Sequence, residues 1–134
     1  TKLGGVGLPN QASKEYWITA SRDAHMEGIR WVEYCSHPGG LTPDVVDDDS
    51  GKLTGSFSAD AWKKWSDYLV ALHADVTAAV PEVGICWGHV LSLQPPTNCS
   101  SPEAALYVKQ YATSFASHWE KDPAIQKLVP YFAE

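Results

Sequence analysis

Residues 58–80, SADAWKKWSDYLVALHADVTAAV, carry the clearest periodicity in the chain. Trp62, Trp65, Leu69, Leu72, Val76 and Ala79 recur every three or four residues, which sets them along one stripe of a 3.6-residue helix. Ser58 suits the N-cap, Asp60 lies where the helix dipole favours a carboxylate, and Pro81 stops the helix. Each large apolar side chain on that stripe gains about 1.5–3 kcal/mol when it leaves water, so the helix needs a partner surface. The rest of the chain is expected to supply it.

Elements with the right patterning follow on both sides. Residues 83–93, VGICWGHVLSL, alternate Val83, Ile85, Trp87, His89, Leu91 and Leu93 with mostly small residues. This predicts a strand with one large-residue face and one smooth face that allows close approach. Pro95-Pro96 ends it. Ser101, Pro102 and Glu103 form a helix start, and Ala104, Val108, Tyr111, Phe115 and Trp119 form the stripe of that helix. Asp122-Pro123 repeats the cap-and-proline signal and predicts a short terminal helix turning Ile125, Leu128 and Val129 inward.

The first third reads less plainly. Residues 1–12 carry no periodicity and are expected to form an extended or flexible arm. Residues 15–22 and 29–35 are rich in aromatic and β-branched residues, which predicts two strands joined through 23–28 as a hairpin. The competing pattern is one long helix with Trp17, Ala20, Ala24, Gly28, Trp31 and Cys35 on a stripe; Gly28 and the β-branched residues weigh against it. Residues 36–56 form a connection of about 20 residues, long enough to suggest a functional loop.

The expected architecture is therefore an α+β fold over residues 1–134 as one domain. A sheet of three or four strands packs on two or three amphipathic helices in a single layer, and an all-α bundle is the alternative. A chain of 134 residues with 44% hydrophobic and 19% charged residues can bury a real core and is not disordered. Its apolar runs fall far short of the ~18 residues of a membrane span. A net charge of -6 disfavours electrostatic capture of nucleic acid. The sequon Asn98-Cys99-Ser100, a first residue that is Thr, and the scarcity of Lys and Arg lead to the expectation of a secreted chain. Cys35, Cys86 and Cys99 lack zinc-ligand spacing; one disulfide, in any of three pairings, or three free thiols are open.

Four groups of residues can carry function. Asp44, Asp47 and Asp49 place oxygen donors as calcium loops do, giving a candidate Ca2+ or Mg2+ site, although the glycine and closing glutamate of an EF-hand are missing. Cys35-Ser36-His37-Pro38-Gly39-Gly40 joins nucleophile, base and glycine turn without matching a known hydrolase elbow. Of the histidines, His73 lies off the apolar stripe and is expected to face solvent. His89 falls on the large-residue face of its strand and is the candidate base, alone or with His37.

The fourth group is aromatic. Six tryptophans and six tyrosines are a high load for this length, and aromatic faces stack on sugar rings and flat ligands. Trp17, Trp31 and Trp87 are the candidate contacts, while Trp62, Trp65 and Trp119 belong to helix stripes. The first expectation is thus a secreted, cofactor-free, non-catalytic binding protein of defence, immunomodulatory or effector type, with an aromatic-lined site for a carbohydrate or small apolar ligand. The second is a small metal-assisted hydrolase or nuclease using the acidic loop and a histidine base. A homodimer burying its surplus aromatic surface is the third.

Overall fold

The computed structural model describes residues 14–36, 56, 58–90, 102–130 and 132–133, with the backbone alone at 35–36, 89–90, 103–104 and 132–133. Helix α1 spans Lys14–Met26, strand β1 Trp31–Ser36, helix α2 Ala59–Ala79 and strand β2 Gly84–Val90. Helix α3 (Pro102–Trp119), helix α4 (Pro123–Leu128) and strand β3 (Phe132–Ala133) complete the order. The sheet runs β1-β2-β3 with both pairings parallel. Parallel neighbours require crossovers, and α2 serves the first while α3 and α4 serve the second. The α+β expectation stands, with three strands. Among the described residues no helix is long and apolar enough to cross a membrane.

The central helix forms where its pattern puts it. Ser58 accepts the Ala61 N–H at 3.1 Å, and Trp62, Trp65, Leu69, Leu72 and Val76 are buried. Asp122 caps α4 through the Ile125 N–H at 3.2 Å, and Pro123 opens it. In α3 the buried positions are Tyr107, Tyr111 and Phe115, whereas Val108 and Trp119 are only half-buried. The apolar stripe of α3 thus keeps Tyr111 and Phe115 at its centre as expected, with Val108 and Trp119 packed at its flank and Tyr107 added to the buried set.

One element differs outright. Residues 15–22 are helical, not a strand, and there is no hairpin with β1. Gly28 had counted against a helix, yet it stands beyond the helix end with φ +82° and terminates it. Its N–H donates to the His25 carbonyl at 3.0 Å and the Ile29 N–H to the Ala24 carbonyl at 2.9 Å, the paired bonds of a Schellman C-cap. Trp17 and Ser21, one turn apart on α1, are the residues it buries.

The core lies between the helices and one face of the sheet. Val83, Ile85 and Trp87 point into it from β2 and its lead-in, together with Leu69, Val76, Tyr111, Phe115, Ile125 and Val129. The half-buried Val32 and Tyr34 join from β1. That leaves Trp31, Glu33, Gly84, Cys86 and Gly88 on the opposite face, in register as Trp31 with Gly84 and Glu33 with Cys86.

Candidate functional site

Two aromatic assemblies result, one inside and one outside. Inside, Trp17, Tyr34 and Trp87 meet edge to face or tilted, with centroids 5.0–5.3 Å apart. Trp87 has no exposed surface and Trp17 keeps 9%. The Tyr34 hydroxyl and the fully buried Ser21 hydroxyl hydrogen-bond at 2.7 Å, and burial raises the Tyr34 pKa above the ordinary tyrosine value. The indole N–H of Trp87 donates to His73 Nδ1 at 3.2 Å.

His73 is thus not a solvent-facing residue. It stands four residues after Leu69 and three before Val76, on the flank of the buried stripe, and is half-buried. Desolvation lowers its pKa, and an Nδ1 that accepts a hydrogen bond belongs to the neutral ring. The Trp17 indole N–H, by contrast, is buried without a hydrogen-bond partner. Such orphan donors are rare and costly, and here the edge-to-face contacts with Tyr34 and Trp87 are what hold the ring.

Outside, Trp31 is 63% exposed although it sits in a strand. Its position is fixed by Gly84. A Cβ at residue 84 would run into Cε3 and Cζ3 of the indole, so the benzene half of the ring occupies the space that any other residue would fill. Glu33 is placed the same way further along: a Cβ at Gly88 would lie 3.3 Å from its Oε1 and 3.7 Å from its Cγ. The glutamate therefore lies over the sheet while remaining exposed.

Cys86 stands between the two glycines, buried, with a free thiol. Burial first, then the Glu33 charge, raises its pKa, and a hydrogen bond from Trp31 offsets part of this. A thiol held protonated is a poor nucleophile. Because Cys86 is free, two of the three disulfide pairings are removed; Cys99 and the Cys35 side chain lie outside the described residues.

The remaining candidates fall as follows. Asp44, Asp47, Asp49 and His37 lie outside the described residues. His89 is placed by backbone only, in β2 opposite Ser36 and Phe132. Among the described residues no three His, Cys, Asp or Glu side chains gather into a metal-binding group. Of the three candidate tryptophans, Trp17 and Trp87 are consumed by the core and Trp31 is presented. Sequence reasoning missed Glu33, Gly84 and Gly88, since their role depends on the β1–β2 register. The missed His73 was visible in the spacing from Leu69.

Beyond Trp31, at the N-terminal edge of the sheet, His25, Gly28, Ile29, Arg30 and Glu82 line an open cleft of about 380 Å³. No protein-family model matches this chain, and neither a curated protein nor a solved structure matches it.

Proposed function

We propose that this is a non-catalytic carbohydrate-binding protein whose contact surface is the outer face of β1 and β2, with Trp31 as the stacking platform. The observation that carries the reading is the combination of exposure and placement at Trp31. An indole left 63% open to water normally gains by turning inward, yet a glycine at position 84 keeps room for it on the sheet surface. An open, flat indole suits the C–H face of a pyranose ring. A small apolar ligand asks instead for a concave site that encloses most of its surface.

The expected energetics are modest. Covering about 60 Å² of one indole face at about 25 cal/mol per Å² is worth about 1.5 kcal/mol, a little over tenfold in Kd. Trp31→Ala should therefore weaken oligosaccharide binding at least tenfold by calorimetry while leaving the melting temperature within about 2 °C of the parent. Equal affinity of parent and variant would remove the reading. The extracellular, defence-type setting belongs to the same proposal, and a glycan on Asn98 in protein isolated from its source would support it.

A homodimer is the second reading, favoured by one observation: Met26 is 82% and Ile29 44% exposed, close in sequence to Trp31. Sedimentation separates the two readings, because a dimer that Trp31→Ala dissociates assigns the indole to an interface.

A further inference from the structure

Resting on the carbohydrate reading, we infer that the ligand is a cationic oligosaccharide, bound with a neutral ring face on Trp31 and a protonated amino group at Glu33. Among the described residues Glu33 has no cationic partner, whereas Lys14 pairs with Asp75 and Lys63 with Asp67. The carboxylate is nonetheless not left swinging in solvent, since the Glu33 side chain rests over the bare backbone of Gly88. A placed, unpaired carboxylate on the same face as a placed, open indole is a two-point recognition surface.

Trp31 overlies Gly84 and its indole bonds to Cys86, while the Glu33 side chain rests over Gly88 with its charge acting on the same Cys86. The two contacts therefore adjoin on one face, and neighbouring rings of a short chain can occupy both. The orientation follows from charge. The cleft beyond Trp31 carries Arg30 beside Glu82, charges that offset each other, so an ammonium group is drawn to Glu33 rather than to that end. The chain's net charge of -6 adds a weak attraction for polycations. Uronic acids and sulfated glycans are disfavoured on the same grounds.

The test compares β-1,4-linked glucosamine hexamers, fully deacetylated and fully N-acetylated, by calorimetry at pH 6 and about 0.15 M salt, where a Debye length of about 8 Å screens the net charge and leaves the contact at Glu33. The deacetylated hexamer should bind about fivefold tighter, the scale of one exposed ion pair. Glu33→Gln should abolish that preference, and Trp31→Ala should weaken binding of both hexamers. Equal affinities for the two hexamers, or a preference that survives Glu33→Gln, would overturn the charge inference and leave the Trp31 platform standing. Binding of neither hexamer would overturn both.

Discussion

A glycine decides where the most exposed aromatic side chain among the described residues sits. The Trp31 indole takes the volume of a missing side chain at residue 84, so Gly84→Ala should displace the ring without unfolding the strand. We expect Gly84→Ala to reproduce most of the binding loss of Trp31→Ala, with an unchanged circular dichroism spectrum; undiminished affinity would show that the placement of the ring is irrelevant. His73 yields a second prediction at this scale. Its folded pKa is lowered below the ordinary value of 6.5 by burial, so the unfolded chain takes up a proton first as the pH falls. His73 therefore contributes no penalty above about pH 6.5, and stability declines as the pH drops from there through the folded pKa. His73→Gln offers Trp87 an acceptor that does not titrate, and the fall in melting temperature between pH 7 and 5 should become shallower. Trp31 was legible as a candidate from residue type alone. Its distinction from Trp17 and Trp87 was not, because that depends on which face each element turns to the core.

At the scale of elements, local chemistry was readable wherever caps and periodicity agreed. Ser58 and the Trp62 to Val76 stripe specify α2, Asp122-Pro123 specifies α4, and the alternation from Val83 to Trp87 specifies β2. These signals have energetic consequences. Leu69 has no exposed surface, so Leu69→Ala should cost about 2–5 kcal/mol, whereas Ser58→Ala should cost about 1 kcal/mol through the lost cap, both measurable by urea denaturation. A Leu69→Ala cost below that of Ser58→Ala would contradict the central place of α2. The segment 15–22 misled because Ile18 and Thr19, with flanking aromatics, suggest a strand, while Gly28 looked like a helix breaker. Gly28 is instead the C-cap glycine, and the Trp17–Ser21 spacing held the helical period. Strand β3, two residues long, offers too little sequence for any pattern.

For the whole molecule, the two faces of one small sheet divide the labour. Helices cover the face of Val83, Ile85 and Trp87, and the opposite face presents Trp31 and Glu33 over glycine and a buried thiol. The sequence indicated a strand with a smooth face that allows close approach, and the side chains of Trp31 and Glu33 are what approach it. What β1 lays across that face became visible only with the parallel register, which no local pattern encodes. If the face serves a ligand, the 14.6 kDa chain should sediment as a monomer at micromolar concentration, and a stable dimer would move Met26, Ile29 and Trp31 to an interface. The most direct measurement is a ¹H–¹⁵N spectrum of the indole N–H signals during titration with the deacetylated glucosamine hexamer, the Trp31 signal being assigned by its loss in Trp31→Phe. The Trp31 signal is expected to move in a saturable way. Trp62, Trp87 and Trp119, whose indole N–H groups are bonded to Asp122, His73 and the Val129 carbonyl, should stay in place. A stationary Trp31 signal beside a shifting Trp17 or Trp87 would relocate binding to the aromatic core and contradict the account.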